Sequence, residues 1–326
     1  MLKPAPTPVL LGVLALSGGL FVSAAALGEP PHPHEPEYSP DIEFPPEYEP
    51  RPRERHVAEE RVERRKVPSE GGMLQIPGGE FTMGYDGPLP HEPNEMPAHL
   101  VRVGTFWIDR TEVSVGDMRA CIDRGDCTAR LGAGPLCTLG RGDLKAAVNC
   151  VPWAAADAYC RAVGKRLPTE AEWELAAGGG QKTRFPWGSS SASCGLAVSL
   201  ISNHAGASCS PRGPAQVGTH SRGASPFGVE DMAGNVEEWV ADWYADRYEV
   251  LPSLPSPVSP PPGSASPSPL APAPVAPSPA GPAFGVAHVL RGGGWMSRPR
   301  ETRVTVRSWG SMNEAGPNVG FRCARD

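Results

Sequence analysis

The chain has 326 residues, with Lys+Arg 30 against Asp+Glu 36, for a formal net charge of −6 at pH 7. This balance gives no electrostatic footing for a nucleic-acid partner. Pro 40 and Gly 38 together make up about a quarter of the residues, too large a share for one compact core, so globular and low-complexity segments must alternate.

Lys3 precedes an apolar run from Val9 to Val22 that ends in Ser23, Ala24, Ala25 and Ala26. Small residues after a short apolar core form a secretory pattern, which predicts a signal peptide over 1–26. The run is shorter than the ~20 residues of a membrane span. Cleavage would therefore leave no transmembrane span, and retention as an anchor is the alternative reading. Residues 27–50 carry Glu29, Glu35, Glu37, Asp41, Glu43, Glu47 and Glu49 among prolines, and 51–66 then turn basic. Neither block can bury a core, so 27–70 is expected to be a disordered, charged, Pro-rich tether. A globular domain over 71–326 follows. It is interrupted at 252–283 by a stretch with 13 prolines and no charge, read as a disordered loop insertion.

Within the domain, strand-like runs fall at 73–76 and 100–108, with Pro77-Gly78-Gly79 as a turn signal between them. Helices are predicted over 115–123 and 154–163. A third starts at Thr169, whose side chain and the carboxylate of Glu172 form a capping pattern. Strands are expected again at 288–295 and 303–307. The fold class is α+β, irregular and rich in loops. All eight cysteines follow the signal segment, and an even number in an exported chain favours disulfides. No short Cys or His spacing supports zinc.

Several segments then occur in a recognisable order. They include Ile76-Pro77-Gly78-Gly79-Glu80-Phe81-Thr82-Met83-Gly84, Gly164-Lys165-Arg166-Leu167-Pro168-Thr169-Glu170-Ala171-Glu172-Trp173, Phe185-Pro186-Trp187-Gly188, Asp231-Met232-Ala233-Gly234-Asn235-Val236-Glu237-Glu238-Trp239, Leu290-Arg291-Gly292-Gly293-Gly294-Trp295 and Gly320-Phe321-Arg322-Cys323. From Met73 to the C-terminus, apart from the Pro-rich insertion, the chain resembles the formylglycine-generating enzyme, or sulfatase-modifying factor, family. The resemblance implies a variant of the C-type lectin fold with little regular secondary structure.

In family members that oxidise a substrate cysteine, two cysteines five positions apart follow the Gly-Gly-Ser-Trp-type motif and bind copper(I). The resemblance places Ser297 and Thr302 at those positions, and Gly294 at the motif serine. A hydroxyl is a hard ligand that stays protonated at neutral pH, so copper is not expected here. The family pairing of a Cys before Gly-Lys-Arg-Leu-Pro with the Cys of Gly-Phe-Arg-Cys implies a Cys160 to Cys323 bridge. A second family bridge falls on Ala177 and Arg307 and is lost at both ends. The remaining cysteines suggest local bridges Cys121 to Cys127, Cys137 to Cys150 and Cys194 to Cys209.

Asp231, Gly234, Val236 and Glu238 fall on a calcium site of the family, with two carboxylates and two backbone carbonyls as hard oxygen donors. Calcium is the cofactor expected. The competing reading is that Glu238 pairs with an arginine and Asp231 caps a turn. A further family calcium site needs an Asn where this chain has Val198. His99 reads as a structural residue at a strand end. The expectation is an exported, secreted or periplasmic, protein of a bacterial cell envelope. It would lack formylglycine-generating oxidase activity and bind a peptide, a glycan or an envelope protein. The alternative is an active formylglycine-generating or related metal-dependent oxidase acting on protein cysteine.

Overall fold

The computed structural model describes residues 62–87, 92–128, 131–200, 208–248 and 282–326. The predicted signal peptide, residues 27–61 of the predicted tether and residues 252–281 of the Pro-rich insertion lie outside them.

Strand β1 (Ser69–Glu70) pairs with β2 (Met73–Ile76), so the folded region starts before the predicted boundary at 71. Val67 packs against the core, the Arg65 amide donates to Pro226 O at 2.7 Å, and the Arg65 guanidinium lies 5.2 Å from the Phe227 ring centroid. Long basic side chains can cover apolar surface with their stems, which is how a charge run conceals an edge of the fold.

Strands β3 (Gly79–Met83) and β4 (His99–Val103) form a two-stranded ladder, and β5 (Phe106–Asp109) pairs with β2 in a different sheet. The single strand predicted at 100–108 is therefore two, divided at Gly104-Thr105. A Cβ on Gly78 would collide with the backbone at that division, and the Gly78 amide donates to Thr105 Oγ1 at 3.2 Å. Alternation buries Val101 and Val103 while Leu100 and Arg102 face outward.

Helix α1 (Val115–Asp123) begins at an N-cap Ser114 with a reciprocal Asp117 contact, and α2 (Trp153–Ala162) follows Pro152. Helix α3 (Glu170–Gly178) has the Thr169 and Glu172 capping box and ends at Gly179, where φ is 65°. All residues of α3 are buried, so it carries three carboxylates into the interior. Charged groups there require partners.

Strands β6 (Glu237–Trp243), β7 (Ala287–Arg291), β8 (Arg307–Ser311) and β9 (Val319–Phe321) form a sheet in the order β8-β7-β6-β9, with β6 and β9 parallel. Strand β10 (Ala324–Arg325) completes the first sheet beside β5. The strand predicted at 288–295 stops at Arg291, because Gly292 and Gly293 take φ of 85° and 60° and turn the chain. The strand predicted at 303–307 starts only at Arg307, after a 3-10 turn over Pro299–Thr302. The Arg303 guanidinium is directed to buried Glu95, at 2.6 and 2.9 Å.

Leu74, Ile76, Phe106, Ile108, Trp173 and Val289 centre one apolar core. Val115, Met118, Tyr159, Leu167, Trp239 and Phe321 centre a second, and a smaller third cluster holds Phe185, Trp187, Ala197 and Ala233. His288 on β7 is stacked between Trp153 and Trp243, each ring centroid 3.8 Å away. Burial lowers its pKa and favours the neutral imidazole. Four disulfides join Cys121 to Cys127, Cys137 to Cys150, Cys160 to Cys323 and Cys194 to Cys209, which accounts for every cysteine in the chain.

Candidate functional site

The turn after β7 brings Gly294, Ser297 and Asn318 together. Gly294 N donates to Ser297 Oγ at 3.0 Å, and Asn318 Nδ2 approaches the same oxygen at 3.3 Å. Asn318 Oδ1 accepts from Met296 N at 3.1 Å, and a Cβ on Gly294 would collide with that side-chain oxygen. The absence of a side chain at 294 and the presence of the asparagine amide are therefore two parts of one packing arrangement. Thr302 is fully buried at the end of the 3-10 turn and donates to Pro299 O at 3.1 Å. Both hydroxyls at the positions where the sequence comparison expects cysteines thus serve the local backbone. Copper(I) requires soft thiolate donors, and with every cysteine bridged the residues here do not fit it. Beside the turn, burial pushes the Glu237 carboxyl up to about 7.

The predicted calcium residues lie against the back of this turn. Gly234 N donates to Gly292 O at 2.9 Å, and Trp295 N to Asn235 O at 2.9 Å. Gly234 takes φ 83° and comes so close to Val198 O that no Cβ would fit. The Glu238 carboxylate is fully engaged. Arg322 donates to both its oxygens at 2.7 Å, and Trp173 Nε1 adds a bond at 2.9 Å. Asp231 Oδ2 accepts from Gly218 N at 2.6 Å. A guanidinium supplies the positive charge that a calcium ion would bring, and it uses the same carboxylate. As placed, Glu238 is paired with Arg322 and Asp231 with the Gly218 amide, which is the geometry of the arginine-pair alternative to calcium. Nearby Glu112 is also buried. One of its oxygens accepts from Asn235 Nδ2 at 3.0 Å, and the other has no partner. Burial first, and the Asp231 charge second, push its carboxyl well above the usual range.

Helix α3 anchors the remaining buried charges. Glu170 takes Arg307 Nε at 2.6 Å and Nη2 at 3.1 Å, and Glu174 pairs with Arg291. Arg307 thereby ties β8 to α3 through a bidentate ion pair with Glu170. Burial pushes the Glu174 carboxyl up, against the opposing pull of Arg291. Glu95 behaves differently: burial would raise its carboxyl, but bonds from Arg303, the Glu92 amide and Thr305 prevail and hold it below the ordinary value.

A cleft of about 690 Å³ opens where the end of β3, the loop after it, the C-terminus of α3 and residues 303–305 meet. Phe81 and Tyr85 line one side, and Lys182, Thr183 and Arg184 another. Thr302 runs directly into the Arg303–Thr305 wall. The sequence analysis did not single out 182–184. The available signal was three consecutive glycines followed by a polar run with two cations and no acid. It also missed Arg322 as the partner of Glu238, because a separation of 84 residues leaves no local pattern.

Residues 58–326 match the model of the sulfatase-modifying factor enzyme 1-like domain. A formylglycine-generating enzyme of Streptomyces coelicolor is 30% identical over 308 residues, covering 79% of this chain and 90% of the relative. A protein named serine/threonine-protein kinase pkn1 from Chlamydia pneumoniae is 31% identical over 290 residues, and the aligned region covers 83% of this chain but only 40% of that relative's length. Among solved structures, PvdO from Pseudomonas aeruginosa superposes with a TM-score of 0.61 at 27% identity, covering 78% of this chain and 94% of PvdO.

Proposed function

Starting from a chain that belongs to the sulfatase-modifying factor enzyme 1-like family, we propose that it is a member without formylglycine-generating oxidase activity that acts as a binding or accessory module. The observation that carries this reading is the state of its sulfur. All eight cysteines are in disulfides, and Ser297 and Thr302 direct their hydroxyls to local partners. No thiolate remains to hold copper(I) beside a substrate cysteine. The scaffold that would present a partner is intact, and the cleft beside residues 303–305 is the surface it offers.

The secretory pattern at 1–26 and the four disulfides support export to the periplasm, the cell envelope or the medium of a bacterium. Among the described residues no helix is long and apolar enough to cross a membrane. The partner would be a peptide, a glycan or an envelope protein that reaches the cleft. Calcium is not required on this reading, because Arg322 neutralises Glu238. The deciding experiment incubates the full chain with a Cys-x-Pro-x-Arg peptide, copper(I) and oxygen, and follows the peptide by mass spectrometry. The cysteine is expected to stay unconverted, and catalytic formation of the aldehyde would overturn the proposal.

A further inference from the structure

The interior arginines all have acidic partners: Arg291 with Glu174, Arg303 with Glu95, Arg307 with Glu170 and Arg322 with Glu238. At the rim of the cleft the pattern changes. Lys182 and Arg184 are exposed and make no ion pair among the described residues. Between them, Thr183 Oγ1 is buried and has no hydrogen-bond partner. All three line the same cleft. An unsatisfied buried hydroxyl is costly, and its placement between two cations without counter-charges calls for an acceptor from outside the chain.

The segment holding these groups is fixed at both ends. α3 closes at Gly179, where φ is 65° and a Cβ would stand 2.6 Å from Pro226. Beyond the segment, Val304 N donates to Arg184 O at 3.1 Å, and Phe185 is buried against Trp187 with ring centroids 4.9 Å apart. The acids that line the cleft have other partners. Glu174 holds Arg291 and accepts from Gly84 N at 2.8 Å, and Asp86 accepts from Ala98 N at 2.8 Å.

We propose that Lys182, Thr183 and Arg184 form an oxyanion seat, and that the ligand is a small organic molecule carrying a phosphate or sulfate ester. An ammonium, a guanidinium fork and a hydroxyl provide more donors than the two oxygens of a carboxylate can use, and they suit a tetrahedral oxyanion. The cleft volume of about 690 Å³ lies within the ~300–1,000 Å³ of small-molecule sites. Phe81 and Tyr85 provide the apolar wall for the organic part. The inference rests on the reading of the cleft as the working surface of the protein.

The test is isothermal titration of the full chain with glucose 6-phosphate, glucose 6-sulfate and glucose. Both esters are expected to bind and glucose is not. Lowering the pH from about 7.5 to about 5.5 weakens a phosphate ester, whose second pKa is near 6, and leaves a sulfate ester unchanged, which separates the two sources of the oxyanion. Lys182→Met with Arg184→Met should cost at least ~10-fold in affinity for the esters. Thr183→Val should cost several-fold, and Thr183→Ser should restore it. The two cations are exposed, so an unchanged melting temperature verifies that the double variant is folded. No binding of either ester to the wild-type chain, equal binding of glucose, or undiminished binding by the double variant would each overturn the seat. Oxidase activity is read on a different substrate and does not involve these residues, so failure of the seat and failure of the non-oxidase reading are separate results.

Discussion

Two regions in contact with each other, the segment 231–238 with Arg322 and the turn 294–302, have taken different routes to self-sufficiency. The first buries charge. Glu238 and Arg322 are about 1% and 0% exposed and satisfy each other through two bonds of 2.7 Å. The second keeps its charged residues, Arg298 and Arg300 among them, at the surface, and its interior is held by neutral hydroxyl and amide bonds of 3.0 to 3.3 Å around Ser297 and Asn318. The difference lies in what each region tolerates. A buried ion pair that loses one partner leaves a stranded charge, whereas a neutral hydrogen bond that is lost leaves only a polar group to satisfy. The charged region is therefore where the scaffold is constrained, and the turn is where substitution costs less.

The largest expected effect comes from breaking the ion pair. Arg322→Ala should lower stability by roughly 3–5 kcal/mol in denaturant melts, and Arg322→Lys by less, because a lysine keeps the charge but loses the bidentate fork. A loss no larger than that of a surface substitution would remove the contrast between the regions. Next is acid sensitivity at His288. Its folded pKa lies below the ordinary 6.5, so the folded state takes up the proton less readily than the unfolded chain. The stability it permits is present above pH 6.5 and is lost as pH falls below that value. His288→Gln should flatten that part of the pH profile, read as the difference between the melting curves of the two proteins.

On the neutral side, Ser297→Ala and Thr302→Val should each cost only about 1 kcal/mol. A cost near that of Arg322→Ala would mean that the turn is as constrained as the ion pair. The smallest expected effect sharpens the comparison from the other direction. Chelation with EDTA should leave the melting temperature unchanged, because the Glu238 oxygens are already taken. A clear fall on chelation, reversed by calcium, would show that the ion displaces Arg322 and that the region is a metal site after all.

Much of the framework was legible in sequence because it depends on local chemistry. The 115–123 helix follows from the Ser114 cap, and α3 follows from Thr169 and Glu172. Residues 73–76 form the strand expected from their apolar pattern. The errors arose where a distant side chain prevailed over local preference. Arg303 reaches Glu95 across 208 residues and pulls its segment out of a ladder, so the strand begins four residues later than expected. The motif order pointed to 231–238 and 294–302 as the segments to inspect, but not to the contacts that their side chains make. Neither the Arg322 fork on Glu238 nor the Asn318 amide filling the space at Gly294 leaves a pattern in the residues themselves. The 182–184 run was overlooked because its signal is an absence of acids, which becomes informative only once the cleft places the cations together.

The Cys160 to Cys323 bridge spans 163 positions and encloses the whole Pro-rich insertion. Covalently, the C-terminal half of the molecule is thus a ring. A protease that cuts once within 252–283 opens that ring without releasing a fragment, and β6 and β7, which lie on either side of the cut in sequence, remain hydrogen-bonded neighbours. The cleaved chain should therefore run as one species under non-reducing conditions and as two after reduction. In an environment rich in peptidases, a molecule built this way can be nicked at its longest insertion and remain in one piece.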